Sequence, residues 1–158
     1  MFERILIPLD GSKVGEAALP VINQLIDKLA PGTHVEITLI GVITLLRHWV
    51  VVGEASAPVS YTDEELKVIK ERVAGNLAKV AEEIKRPQIT IKTIVSAGNA
   101  AEEVLKAADD IKADLIAMST HGRSGLRRLA FGSVTDKVLH GARIPVLMVR
   151  APEGTRNE

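Results

Sequence analysis

The sequence predicts an α/β domain, an open parallel sheet with helices on both faces. Strand-like and helix-like patterns alternate from end to end, the signature of βαβ units. Four short apolar runs, Arg4 to Leu9, Val35 to Val42, Leu115 to Met118 and Val146 to Val149, are continuous rather than alternating, as strands buried on both faces are. Apolar residues make up 46% of the chain and aromatic residues only 3%, so the core must be built from Val, Ile, Leu and Ala. A chain of 158 residues fits one domain with one compact core. The expected domain spans residues 1–151, with 152–158 as a short C-terminal tail.

The first strand is followed by the clearest helical face in the chain. Val14, Ala17, Ala18, Val21, Ile22, Leu25, Ile26 and Leu29 recur at three-and-four spacing. Pro20 falls inside this stretch, where it removes the donor to the Glu16 carbonyl and predicts a bend; Pro31-Gly32 stops the helix. The stretch from Ile43 to Tyr61 interrupts the βα rhythm and reads as a long, partly apolar loop of the kind that is usually functional or mobile. Within it, Trp49 is read as cover for the core, with a partner-binding anchor as the alternative.

A second helix is expected from about Thr62 to Lys85. Thr62 and Glu65 form a capping box there, and Leu66, Ile69, Val73, Leu77, Val80 and Ile84 form an apolar stripe. The run Ile89 to Val95 alternates more than the others and belongs nearer a sheet edge. A third helix carries Ala101, Val104, Leu105, Ala108 and Ile111. The last runs from about Ser133 to His140, with Gly141 ending it and Pro145 leading into the final strand.

Composition excludes several classes of function. There are 20 basic and 20 acidic side chains, so no global field draws the protein to nucleic acid or an anionic membrane. The absence of cysteine excludes disulfides, thiol catalysis and thiolate metal sites, and fits a cytoplasmic protein. The longest apolar stretch, Ile37 to Leu46, falls short of the ~18 residues that span a bilayer.

Two segments carry candidate chemistry. Ile7-Pro8-Leu9-Asp10-Gly11-Ser12 closes the first strand, and ligands of open parallel sheets sit beyond the carboxyl ends of strands, where the winding reverses. Asp10 and Ser12 are placed to meet such a ligand, or equally to form a turn that caps the first helix. The second segment, Met118 to Thr135, leaves a buried strand and ends at a helix start, with glycines near both ends. Free N–H groups at a helix start, aided by its dipole, bind phosphate. Ser133 and Thr135 add hydroxyl donors, and Arg123, Arg127 and Arg128 add positive charge.

Pro8-Leu9-Asp10-Gly11-Ser12, Thr120-His121-Gly122-Arg123-Ser124-Gly125-Leu126-Arg127-Arg128, Gly132-Ser133-Val134 and Pro145-Val146-Leu147-Met148-Val149 together closely resemble the universal stress protein family, over essentially the whole chain. Members that bind ATP carry a glycine, two residues, a second glycine, nine residues, then glycine and Ser or Thr. Here Gly122, the nine residues from Arg123 to Phe131, and Gly132-Ser133 match, while Ser119 stands at the first glycine position. Serine keeps the backbone N–H and adds only a small side chain, so close approach of a ligand survives unless that position needs a positive φ.

The resemblance implies a five-stranded parallel sheet of order 3-2-1-4-5 and ATP as ligand, with Mg2+ held mainly through its phosphates. Pro8, Leu9 and Asp10 would line the adenosine pocket, with Asp10 near the ribose, and Val42 would contact adenine. Met118, Ser119, Gly122, Arg123, Gly132, Ser133, Val134 and Thr135 would surround ribose and phosphates. It also implies a homodimer through the last strand, whose exposed apolar edge calls for a cover.

Other chemistries fit poorly. No Gly-Lys dipeptide and no GxGxxG after the first strand occur, so P-loop and dinucleotide-binding readings fail. His34, His48, His121 and His140 lack metal-ligand spacing. Ser119, His121 and Asp10 lack the GxSxG elbow of a hydrolytic triad. Asp63-Glu64-Glu65 suits the start of a helix electrostatically. The expected role is therefore a nucleotide-dependent regulatory or stress-response module with slow ATP hydrolysis at most. The alternative is a dimeric interaction module that binds no nucleotide.

Overall fold

The computed structural model describes residues 2–44, 48–52, 55–59, 61–120 and 132–152, with the backbone alone for 48–52 and 55–59. The main sheet contains β1 (Arg4–Pro8), β2 (Val35–Ile43), β5 (Ile89–Ala97), β6 (Leu115–Thr120) and β7 (Val146–Arg150), in the spatial order β5-β2-β1-β6-β7. All its pairings are parallel. Counted along the chain within this sheet, the order is 3-2-1-4-5, as expected.

Alternation along the central strands divides the core into two layers. Ile5, Ile7, Ile37 and Leu39 face Ile22 and Ile26 of α1 (Ala18–Ile26) and Leu77, Val80 and Ile84 of α2 (Asp63–Ile84). On the other face, Leu6, Ile40 and Ile116 meet Ala101, Val104 and Ala108 of α3 (Ala100–Asp110) and Val138 of α4 (Ser133–Gly141). The two helices that precede β5 thus cover one face and the two that follow it cover the other.

The capping signals work as their chemistry requires. Thr62 Oγ1 accepts from the Glu65 N–H at 3.2 Å, and Glu65 Oε2 accepts from the Thr62 N–H at 2.8 Å, completing the expected capping box of α2. Asn99 Oδ1 caps α3 through the N–H groups of Ala101 and Glu102. At the opposite end of the sheet, Asp114 accepts from the N–H groups of Glu3 and Arg4 and pins the start of β1 beside β6.

Four local expectations change. Pro20 does not bend a long helix. Residues Gly15–Ala17 form a 3-10 turn, and α1 begins at Ala18, so Pro20 lies in its first turn, where an N–H would have no intrahelical partner. Gly141 is the last residue of α4 rather than a residue beyond it; a Cβ there would lie 2.6 Å from Leu105 Cδ1, so α3 packs closely against α4 at this glycine. The final strand, at the sheet edge where the order 3-2-1-4-5 puts it, is only half-buried rather than buried on both faces, although Leu147 and Val149 pack on one core layer and Val146 on the other. Its continuous apolar run reflects partial cover on both faces.

The fourth change concerns residues 43–61. This stretch contains an antiparallel hairpin of β3 (His48–Val52) and β4 (Ala55–Val59), paired from His48↔Val59 to Val52↔Ala55. The signal passed over is the β-branched run Val50-Val51-Val52 directly before Gly53. The part expected of Trp49's side chain lies outside what the structure describes.

Among the described residues two buried side-chain oxygens, Asn23 Oδ1 and Thr38 Oγ1, have no hydrogen-bond partner. Thr38 in β2 is 1% exposed, and its hydroxyl has no hydrogen-bond partner among the described residues. A buried polar group without a partner costs free energy, and valine keeps the shape without the hydroxyl. Thr38→Val is expected to raise stability by about 1 kcal/mol, read as a higher midpoint in urea at unchanged slope.

Candidate functional site

The carboxyl ends of β1 and β6 open a gap at the point where the winding reverses. β2 follows β1 in register through Pro8↔Ile40, and the Leu9 N–H still donates to the Ile40 carbonyl at 2.9 Å. β6 pairs with β1 only at Ile5↔Leu115 and Leu6↔Ile116, and pairs with β7 as far as Thr120↔Arg150. Beyond Ile116 the two central strands are therefore unpaired, at the position where α/β sheets receive ligands.

Pro8 is half-buried at the end of β1, Leu9 is buried, and Asp10 stands exposed. The Asp10 carboxylate forms a local turn: Oδ1 accepts from the Ser12 N–H at 2.9 Å and from the Ser12 hydroxyl at 2.6 Å. Gly11 holds φ +78 within it, a conformation that favours glycine. Ser12 Oγ in turn accepts from the Gly15 N–H at 2.9 Å and starts the 3-10 turn. Asp10 and Ser12 thus form the expected turn without capping α1, whose N-cap Ala17 makes no side-chain cap bond, and because both Ser12 bonds end on Oδ1, the carboxylate still presents Oδ2.

On the other side of the gap, Met118 is buried in the α3/α4 core layer and Ser119 is half-buried. Ser119 does not have a positive φ; Lys112 is the only non-glycine residue that does among those described. Nothing in the backbone at position 119 calls for glycine. Gly122 and Arg123 lie outside the described residues.

Gly132 is the N-cap of α4, and with no side chain it offers the helix no cap, unlike Thr62 and Asn99. Its φ is −59, and a Cβ there would meet no described atom within 4 Å. Neither conformation nor packing among the described residues explains glycine at this position. Ser133 and Val134 are exposed at the start of the helix, whereas Thr135 is buried at 7% exposure. Ser133 is thus the more exposed of the two hydroxyls at the start of α4.

A cavity of about 250 Å3 lies against Asp10 and Leu9, with Gly41 and the half-buried Val42 at the end of β2 and Val73, Asn76 and Leu77 of α2 as its far wall. Sequence reasoning placed Leu9, Asp10 and Val42 here but missed the contribution of α2. The signal was present: Asn76 sits three residues after Val73 and four before Val80, a polar side chain on the apolar face of the helix. Lys13 and Glu16 also border the cavity and pair at 2.9 Å; the hydrogen bond to Glu16, with its charge, raises the Lys13 pKa above the ordinary lysine value. Among the described residues no cluster of three or more His, Asp or Glu could hold a metal, and no helix is long and apolar enough to cross a membrane.

Comparison with known proteins agrees with this architecture. Universal stress protein MJ0531 of Methanocaldococcus jannaschii is 34% identical over 154 residues, covering 97% of this chain and 85% of the relative. Universal stress protein MJ0577 of the same organism is 29% identical over 157 residues, covering 95% and 96% of the two chains. The solved structure of MJ0577 aligns with a TM-score of 0.71 at 25% identity over 98% of this chain and 99% of that one. The Arabidopsis thaliana universal stress protein family protein At3g01520, solved with AMP bound, shares the fold at a TM-score of 0.60 and 10% identity, covering 96% and 93%. The sequence pattern that defines the Universal stress protein family matches residues 1–150, and the chain belongs to that family.

Proposed function

We propose that this chain binds ATP across the gap between β1 and β6 and acts as a nucleotide-dependent regulatory module. The observation that carries the reading is the uncapped start of α4 at Gly132-Ser133, where glycine is required by neither backbone nor packing among the described residues. The unpaired N–H groups of the first turn and the helix dipole favour a phosphate there. The AMP bound to At3g01520, a protein of the same fold, supports an adenine nucleotide as the ligand class.

In this reading the Asp10 carboxylate accepts hydrogen bonds from the ribose, and Pro8, Leu9 and Val42 surround the adenosine. The backbone at Met118, Ser119, Gly132, Val134 and Thr135 and the Ser133 hydroxyl face ribose and phosphates, together with Gly122 and Arg123. A magnesium ion would be held mainly through the phosphates. Nothing at the described site offers a general base directed at a terminal phosphate, so hydrolysis would be slow. The half-buried edge strand β7 is proposed as the homodimer contact, which light scattering at micromolar concentration tests.

Calorimetry with Mg-ATP should show saturable one-to-one binding, and mass spectrometry should find adenine nucleotide retained through purification. Absence of both overturns the reading in favour of an interaction module. The feature that would favour that module, serine at the first glycine position, carries less weight because Ser119 has no positive φ.

A further inference from the structure

Ser119 reaches across the gap that separates the two halves of the candidate site. Its hydroxyl donates to the Gly15 carbonyl at 2.8 Å and accepts from the Ala18 N–H at 2.9 Å, more than a hundred residues away in sequence. Both bonds lie in partly buried surroundings, where a lost partner is not fully replaced by water. The Ala18 N–H, at the first residue of α1, also donates to the Glu16 carbonyl that closes the 3-10 turn, and Ser119 gives it a second acceptor from another strand.

From Gly15 the chain of bonds runs back to Asp10. The Gly15 N–H donates to Ser12 Oγ, and both the Ser12 hydroxyl and the Ser12 N–H donate to Asp10 Oδ1. One peptide unit away from the bond that Ser119 makes, the same turn therefore fixes the rotation of the Asp10 carboxylate. The end of β6 is itself held by β7 through the pair Ser119↔Val149, so the anchor is rigid on its outer side. A glycine at 119 would supply neither bond.

We propose that Ser119 is a positioning residue: its hydroxyl clips the end of β6 to the 3-10 turn after β1 and thereby holds Asp10 oriented for its ligand. The proposal rests on the ATP-binding reading and adds a residue that acts through Asp10 rather than by side-chain contact with the nucleotide. Pre-ordering a binding group spares the ligand the entropy of ordering it. Two hydrogen bonds of ordinary strength correspond to a loss of about tenfold in affinity when removed.

The test is a double-mutant cycle with Ser119→Ala and Asp10→Ala, read by Mg-ATP calorimetry, alongside amide hydrogen exchange in the absence of nucleotide. Ser119→Ala should weaken binding about tenfold in the parent and less than about twofold in the Asp10→Ala background. Without nucleotide it should speed exchange at Ser12 and Gly15, whose own hydrogen-bond partners are untouched, and Ser119→Thr, which keeps the hydroxyl, should restore both readouts. Equal losses in the two backgrounds would mean general destabilisation and overturn the proposal. Should the parent bind no nucleotide, the ATP reading fails, and the exchange experiment alone then decides the clip. Unchanged protection at Ser12 and Gly15 in Ser119→Ala overturns it, and faster exchange sustains it.

Discussion

Gly132→Asp is expected to weaken Mg-ATP binding by more than about a hundredfold while leaving the protein at least as stable as the parent. The two effects separate because of the position's geometry. At φ −59 and ψ 152 the backbone suits any L-residue, and a Cβ would meet no described atom within 4 Å. Aspartate is also among the best N-cap residues, since its carboxylate accepts from the N–H groups of the first helical turn. Those are the groups assigned to the phosphate, so the new side chain would occupy them and set a negative charge against an anion, a juxtaposition that costs several kcal/mol. Gly132→Ala should fold equally well and lose less affinity, reporting steric approach alone. Parallel calorimetry and urea denaturation check both parts. If Gly132→Asp bound Mg-ATP as tightly as the parent, the start of α4 would not be the phosphate site.

The layered fold was legible because patterns on several scales agreed. Continuous apolar runs marked β1, β2 and β6, the Thr62-Glu65 box marked the start of α2, and the three-and-four spacing from Val14 marked the region of α1. The misses came where one residue has two physical uses. Pro20 breaks a helix interior but is tolerated in a first turn, and only the position of the 3-10 turn decides between them. Gly141 looks like a helix terminator, yet it lies inside α4, where Leu105 of a different helix packs against it. The hairpin β3–β4 was hidden because its strands are short and do not join the main sheet, so the βα rhythm gave no place for them.

The candidate site was legible in its two strand ends and the start of α4, and illegible where it depends on contacts between distant segments. Asp10 and Ser12 were open to either a ligand role or a turn that caps the first helix, and the hydrogen bonds show the turn, without a cap on α1 and without removing Oδ2 from reach of a ligand. Ser119 read from the sequence as a departure from a glycine motif. Its bonds to Gly15 and Ala18 span 104 and 101 residues, a separation that no local pattern encodes. Thr135 read as a hydroxyl beside phosphate; the structure shows it buried at 7% exposure, while Ser133 and Val134 before it are exposed.

Gly41→Ala is expected to cost about 2 kcal/mol of stability, a large effect for one methyl group. Gly41 lies in β2 beneath α2, and a Cβ built on it falls 2.5 Å from Val73 Cγ1 and 3.5 Å from Leu77 Cδ1. Val73 cannot turn aside cheaply, since β-branched side chains in helices are held to one χ1 rotamer. The strain must then be relieved by moving α2, whose buried anchors are only Leu77, Val80 and Ile84. Val73→Ala removes the opposing methyl, so in that background Gly41→Ala should cost less than half as much, a coupling that urea denaturation of the four proteins would measure. Because Gly41 and Val73 both border the cavity beside Asp10, the pair also tests where adenosine sits. Adenosine in that cavity requires Gly41→Ala to weaken Mg-ATP binding and the double variant, with the wall set back, to recover it. Full-strength binding by a folded Gly41→Ala protein would place the base elsewhere along the gap, and equal stability costs in the two backgrounds would show that α2 does not bear on Gly41 as described.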